Sequence, residues 1–324
     1  MTERKSVVLT HCWPTEKNLL AGKFVQDWVC RTLKGDICLM HIPFGGNMLY
    51  TRRWIKLAQY MWNAARRVAG IRAGSIVYAH WWIPLGWLAA RTDATVFVFC
   101  HGGDVAWLEK HRLFARCLRP AARKVVQWSF VSNSLRGRFL KLYPMVDVNK
   151  TVVCPMQADG RVFFDFVLTR IPRSYIVCSA LVPRKNVDIA IWYCANIDRK
   201  GEGKTMLFVV GDGMLRKDLE RLASNLNVQA KFLGQLSQYD LAWQFNLCET
   251  FLSFSEDEGY GLSIDEAKLC GCKTVVSAGD GKQEHADVVL PMPNKRKLLK
   301  ILGGYRDWTT LSDEPIGCDY EERA

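Results

Sequence analysis

Residues 256–272 read EDEGYGLSIDEAKLCGC. The run that leads into them, ETFLSFSE at 249–256, has the aromatic and apolar make-up of a buried strand, and the residues after Gly261 continue as a helix. Glu258 and Glu266 therefore stand eight positions apart around a Gly-Tyr-Gly turn, one ahead of the helix and one on it. A helix start built from small residues offers unsatisfied backbone N–H groups and favours an anion. Strand, bare turn and helix would then bring two carboxylates and an anion-binding backbone to one place.

Outward from this point, strand and helix alternate along the whole chain. The second half carries YIVCSAL, TMLFVVGDG and AKFLG before the stretch and KTVVSAG and DVVLPM after it. The first half carries SVVLTHC, DICLMHIP, SIVYAHWW, TVFVFCHGGD, VVQWSFVS and KTVVCP. Runs of Val, Ile and Phe without polar alternation suit parallel strands covered on both faces, and the helix-length amphipathic stretches between them supply the crossovers. The fold expected is α/β, wound twice. With 324 residues, 49% of them hydrophobic, the chain has enough apolar material for two cores. The segment 168–173, with its proline and two arginines, divides it into Rossmann-like domains at 1–168 and 169–324. From Asn294 a basic helix leads into an acidic tail, for which packing back on the first domain is one option.

Composition excludes several classes. Apolar runs such as Ser75–Ala90 and Thr95–Cys100 are broken by His, Pro or Arg before the length of about 18 residues that a membrane span needs. The start, MTERKSVVLTHCWP, lacks the apolar core and small-residue cleavage site of a secretion signal, so a cytoplasmic location is expected, with peripheral attachment to a membrane surface as an option. The 12 cysteines lie singly, mostly inside apolar runs (Cys38, Cys100, Cys178, Cys194), which reads as reduced, buried thiols. Charge is uneven: residues 1–168 hold 24 Lys and Arg against 10 Asp and Glu, a net of +14, and the remaining residues hold 20 against 22, a net of −2. The first half is thus expected to meet an anionic partner.

In open parallel sheets, ligands bind where strands end at their carboxyl side. Polar residues gather there repeatedly: His11 and the NLLAG loop, His101-Gly102-Gly103-Asp104, Arg184-Lys185, Gly211-Asp212-Gly213 and the Glu258 turn. In this order, EGYGLSIDEAKLCGCKTVV, preceded by FVVGDGMLRKDLERLASNLNVQAKFLGQLSQYDL and LVPRKNVDIAI, resembles the retaining glycosyltransferases of GT-B family four, the Glu-x7-Glu sugar transferases. NLLAGKF, YAHWWIP, HGGD, VSNSLRGRFL and VVCPMQADGRVF extend the resemblance from about Val7 to Glu284, and its specificity lies in co-linear order rather than in any one motif.

The resemblance implies a GT-B fold with two domains facing across a cleft, and a role for each matching position. Glu258 would lie beside the hydroxyls of the transferred sugar, and Glu266 would accept hydrogen bonds from the ribose of the donor. Gly259, Tyr260, Gly261 and Leu262 would offer backbone N–H groups to diphosphate and sugar, Lys185 would neutralise the leaving diphosphate, and His101 would face the donor sugar. Gly22 and Gly211 would let backbone approach the donor. Ser179-Ala180 stands where the family usually has Gly-Arg, which leaves Arg184 as the substitute cation, and Met156-Gln157-Ala158-Asp159 stands where it often has Asn-Gly-Val-Asp. The implied substrate is a nucleotide diphosphate sugar such as a UDP- or GDP-sugar. No cofactor and no metal are called for, since no ligand cluster stands out.

For the acceptor, HRLFARCLRPAARK at 111–124 places Arg112, Arg116, Arg119 and Arg123 at helical spacing, with Leu113, Phe114, Cys117 and Leu118 expected to face elsewhere and Pro120 to break the helix near its end. Arg52 and Arg53 beside Trp54 and Lys56, Arg66-Arg67, and Arg136, Arg138 and Lys141 belong to the same basic half. Two polyanionic acceptors fit: a glycan or lipid-linked glycan at an anionic membrane surface, or DNA carrying hydroxymethylated bases. An inactive GT-B homologue or a nucleic-acid-binding protein are the remaining alternatives, and acidic residues in a phosphate-binding cleft weigh against the latter. The oligomeric state has no signal in the sequence.

Overall fold

The computed structural model describes residues 5–14, 22–43, 54–199, 203–256, 258–279 and 281–291. Arg52, Arg53, most of the NLLAG loop and the tail from Asn294 lie outside them. By their contacts the described residues form two compact units, one drawn from Met1–Phe99 and Arg116–Trp128, the other from Cys100–Ala115 and Ser129–Met292.

In chain order, the described residues form β1 (Ser6–Thr10), α1 (Lys23–Thr32), β2 (Ile37–His41), α2 (Trp54–Ala69), β3 (Ile76–His80), a short helical turn (Trp82–Gly86), α3 (Trp87–Ala89), β4 (Thr95–Cys100), α4 (Gly103–Lys110), α5 (Arg112–Cys117), α6 (Arg119–Ala122), β5 (Gln127–Phe130) and α7 (Asn133–Leu142). With β6 (Thr151–Val153) their strands make a six-stranded sheet in the order β2-β1-β3-β4-β5-β6. β1 runs parallel to β2 and β3, and β3 to β4. Four of the five residues of β1 are buried, as its unbroken SVVLT run demands of an inner strand. α1 turns Val25 and Val29, one helical repeat apart, onto Val8 of that strand.

The second set is β7 (Ile171–Cys178), α8 (Val187–Arg199), β8 (Met206–Val210), α9 (Arg216–Asn225), β9 (Gln229–Gly234), α10 (Gln238–Leu247), β10 (Cys248–Ser253), α11 (Leu262–Leu269), β11 (Lys273–Ser277) and β12 (Val288–Leu290). Its sheet has the order β12-β11-β10-β7-β8-β9, with every neighbouring pair parallel. Side-chain caps begin the helices where the sequence supplies them: Ser237 Oγ accepts from the Asp240 N–H at 3.1 Å, and Ser132 Oγ from the Leu135 N–H at 3.2 Å. The core beneath α10 and α11 packs Phe163, Phe245 and Phe251, each no more than 1% exposed, with Ile176, Ile264 and Val276. Burying such a ring stabilises by about 2–3 kcal/mol.

The proline-arginine segment that leads into β7 has a structural use. The Arg170 guanidinium donates to the carbonyls of Phe245 (3.1 Å), Cys248 (2.7 Å) and Cys270 (2.6 Å) and lies 3.5 Å from Asp165. One side chain thereby ties the end of α10, the start of β10 and the end of α11. The described cysteines are all free thiols; Cys100, Cys194, Cys248, Cys270 and Cys272 are buried, whereas Cys30, Cys117 and Cys154 are exposed.

Candidate active site

The strand order of the second sheet reverses between β7 and β10: β7 leads on to β8 and β9 on one side, β10 to β11 and β12 on the other. Loops leaving two such strands diverge, which opens a crevice at their carboxyl ends. Lys185 comes from the loop after β7 and Glu258 from the loop after β10, and they form an ion pair with side chains 14% and 21% exposed. The two loops are stitched beside that pair. Buried Asn186 donates through Nδ2 to the Phe254 carbonyl (2.9 Å) and to the Glu256 carboxylate (3.1 Å), and the Glu256 N–H donates to the Arg184 carbonyl at 2.7 Å.

Burial alone would raise the Glu258 carboxyl. The charge and hydrogen bond of Lys185, helped by Arg184 and Ser255, outweigh it and hold the group below the usual carboxylate range. Glu266 is the opposite case: burial, reinforced by the charge of Asp265, pushes it up to about 7. The Cys178 thiol at the end of β7 is raised to about 12 chiefly by burial, and the charge of Glu266 pushes it up further while that of Lys185 draws it down. The structure thus pairs Lys185 with Glu258, and the charges of Lys185 and Glu266 are both felt at the end of β7.

The Gly259–Leu262 turn lies against backbone. A Cβ on Gly259 would overlap the His101 carbonyl oxygen, and one on Gly102 would come within 2.9 Å of the Gly259 Cα, so this contact admits only glycine on both sides. Ser132 Oγ donates to the Gly259 carbonyl at 2.8 Å. Gly261, left-handed at φ 87°, caps α11. Gly211 serves a similar close approach, since a Cβ there would overlap the Ser179 carbonyl oxygen, while its own N–H donates to the Gly234 carbonyl at 2.7 Å. Gly22 belongs to the other unit, where it caps α1 in a left-handed conformation with Cys12 packed against it.

Four further residues frame the turn, all in the GKQEH segment after β11, which follows the same rule of polar residues at a strand's carboxyl end. Gly281 packs on the Gly259 carbonyl and Ser132 Oγ. Lys282, 1% exposed, donates to the Ser255 carbonyl. The Glu284 carboxylate accepts the Asn133 N–H (3.2 Å) and the Ser134 N–H (2.8 Å) at the start of α7. His285 bonds Asp265 and the Tyr260 carbonyl. Among the described residues, no three His, Cys, Asp or Glu side chains form a metal-binding group.

The basic surface differs from a single helical stripe. α5 stops at Cys117 and α6 starts at Arg119, with Pro120 in its first turn, so the proline begins a helix instead of ending one. Arg112, Arg116 and Arg123 are exposed and Arg119 is half-buried. Leu118 packs inside as its apolar character requires, but Leu113 (75%) and Phe114 (43%) stand in solvent beside the arginines. Arg138 is paired with Glu109, Arg136 donates to Thr151, and Arg66 lies 5.6 Å over the Trp62 ring.

Comparison with known proteins follows the same lines. Residues 169–287 match the family model described as "Glycosyl transferases group 1". Over 221 residues the chain is 28% identical to the GDP-mannose-dependent alpha-(1-6)-phosphatidylinositol monomannoside mannosyltransferase of Mycolicibacterium smegmatis; the match covers 62% of this chain and 56% of that protein, so the chain spans about half of the relative's length. The crystal structure of Anabaena Alr3699/HepE in complex with UDP and glucose superposes with a TM-score of 0.65 at 15% identity, covering 96% of this chain and 90% of that one. WaaG, a glycosyltransferase involved in lipopolysaccharide biosynthesis, superposes at 0.61 with 16% identity, covering 92% and 89%. The two six-stranded sheets are those of the GT-B glycosyltransferase fold.

Proposed function

We propose that this chain is a retaining glycosyltransferase that moves a hexose from a nucleotide diphosphate sugar to an acceptor hydroxyl on a glycan or lipid-linked glycan at an anionic membrane surface. The observation that carries the reading is the Lys185–Glu258 pair at the switch point of the second sheet, next to the bare turn that opens α11. In this reading the domain of residues 169–324 holds the donor and that of residues 1–168 receives the acceptor. Lys185, Arg184 and the first N–H groups of α11 offset the charge that develops on the diphosphate as its bond to the anomeric carbon breaks. The leaving phosphate oxygen takes the proton of the acceptor hydroxyl, whose oxygen bonds the same face of the sugar. Glu258 and His101 orient the sugar and Glu266 the ribose, and no step calls for a metal.

One feature of the surface supports a membrane-bound acceptor. α5 exposes Leu113 and Phe114 among Arg112 and Arg116, a mixture that suits a headgroup layer better than a DNA backbone. No described helix is long and apolar enough to cross a membrane. The mannosyltransferase relative names GDP-mannose and a phosphatidylinositol glycolipid, and the HepE structure holds UDP, so donors of both nucleotides belong in the test. The experiment incubates the protein with UDP- and GDP-hexoses, with and without glycolipid-bearing anionic vesicles, and measures nucleoside diphosphate release and the anomeric configuration of the product. Release with one donor, enhanced by vesicles and giving a retained anomer, is expected. An inverted product overturns retention, sugar incorporated only into hydroxymethylated DNA supplied in a parallel incubation overturns the acceptor, and no release from any donor overturns the enzyme.

A further inference from the structure

His285 stands outside every role assigned above. It follows the short helical turn Gly281–Glu284 between β11 and β12, and its side chain is 16% exposed. Nδ1 lies 2.6 Å from Asp265 Oδ1 and Nε2 lies 2.8 Å from the Tyr260 carbonyl oxygen. Both partners are acceptors. A neutral imidazole has one N–H and would turn a lone pair toward the other oxygen, whereas an imidazolium donates to both. The Tyr260 ring stacks on the imidazole at 4.4 Å and 10°, and the Tyr260 hydroxyl donates to the other oxygen of Asp265. These contacts close a cycle from the Tyr260 backbone through His285 and Asp265 back to the Tyr260 phenol. Tyr260 sits between Gly259, pressed on the His101 carbonyl, and Gly261, the cap of α11.

We propose that His285 is a positioning residue which, as an imidazolium, latches the Gly259–Leu262 turn in the conformation that presents its backbone N–H groups to the donor diphosphate. The proposal rests on the glycosyltransferase reading for its ligand, and on the geometry alone for the latch. Neighbouring charges set the latch. Burial disfavours the imidazolium, but the hydrogen bonds to Asp265 and the Tyr260 carbonyl and the Asp265 charge outweigh it, and the group is raised above its ordinary 6.5. Lys268, on α11, acts against it: its ammonium donates to the His285 carbonyl at 2.9 Å and pairs with Asp287 at 3.0 Å. The Glu284 carboxylate is turned away to the start of α7. Because the folded-state value is raised, the latch is in place below about 6.5 and is lost only as pH rises through the higher, folded-state value.

The experiment has two independent arms on the full chain. In the first, histidine ring NMR assigned with His285→Phe follows protonation of the ring, and hydrogen exchange follows the amides of residues 259–263. The His285 ring should stay charged to a higher pH than ordinary histidines, and the amides should exchange faster above its titration, and at every pH in His285→Phe, which keeps a stacking ring without donors. A ring already neutral at pH 6, or amide protection that ignores both pH and substitution, overturns the latch. In the second arm, calorimetry with UDP and GDP measures affinity against pH. Wild-type affinity should fall about tenfold on the alkaline side, Asp265→Asn should move that fall to lower pH, and His285→Phe should bind weakly throughout without it. An alkaline fall that survives in His285→Phe, or in His285→Gln should the first variant not fold, overturns the positioning role. Absence of binding by either nucleotide at any pH defeats the donor reading and with it the diphosphate role, while the first arm still judges the latch.

Discussion

Lys185 and Glu258 neutralise each other in the free protein, so replacing either removes a charge that the proposed transfer uses and strands the other. Lys185→Ala and Glu258→Gln should each lower turnover on the order of 100-fold, the equivalent of about 2.7 kcal/mol of transition-state stabilisation. Each should also lower stability by about 1–2 kcal/mol, a partial loss because both side chains keep some contact with solvent. The double variant should recover stability but not turnover, and thermal melts beside steady-state rates check both halves. Glu266 allows a second test. With its carboxyl at about 7, the free site is near half-protonated at neutral pH, and a ribose diol that donates to it favours the anion. Glu266 should therefore contribute release of a fraction of a proton when nucleotide binds at pH 7, seen in the dependence of the calorimetric heat on buffer ionisation enthalpy, and Glu266→Gln should shift that dependence toward the uptake expected of His285 alone. Affinity through this group rises with pH, the reverse of the His285 effect, so the two variants remove opposite limbs of one profile.

Among the elements, the ends of α10 and α11 depend on one side chain from outside them. Arg170→Ala leaves the carbonyls of Phe245, Cys248 and Cys270 without their charged donor, and should cost about 2–4 kcal/mol, measured as a fall in the denaturation midpoint with nucleotide affinity changed little in the fraction that remains folded. Arg170→Lys should recover only part of this, because an ammonium cannot span three carbonyls as the planar guanidinium does. At 168–173 the sequence displays a chain break between two sets of strands; that an arginine there clasps three later element ends is invisible, since those carbonyls lie 75 to 100 positions further on. The division of 111–124 into two helices is partly legible. Proline in a helix's first turn is favourable and inside one is not, so Pro120 marks a boundary, and its side is settled by Leu118 packing inward between the two segments.

For the whole molecule, the uneven charge makes a quantitative demand. If residues 1–168, at +14, meet an anionic bilayer, vesicle binding should weaken steeply between low and physiological salt and be reduced by Arg112→Ala with Arg116→Ala. Leu113→Ser with Phe114→Ser should lower vesicle affinity several-fold with the salt slope unchanged, because that pair contributes apolar insertion and no charge. Co-sedimentation over a salt series separates the two, with duplex DNA as the competing surface. Equal loss on DNA in the serine variant would sink the membrane assignment.

Much of this was determined by the sequence alone, because local rules carried it. Unbroken β-branched and aromatic runs separated by helix-length stretches can be satisfied by parallel sheets covered on both faces, and the bare Gly-Tyr-Gly before a helix leaves backbone N–H groups of the kind that favour an anion. Glu258, Glu266 and Lys185 could be picked out as candidates for that reason: Lys185 and Glu258 follow the carboxyl ends of strands, and Glu266 lies on the helix that the turn opens. Only the tertiary structure decided which charges offset which. The same residue type is driven in opposite directions at Glu258, beside an ammonium, and at Glu266, buried near Asp265. His285 lies 25 positions from the carbonyl it bonds, and its meaning depends on two acceptors meeting its ring from different places. Electrostatic pairing is a property of distance and burial, and neither is encoded in the order of residues along the chain.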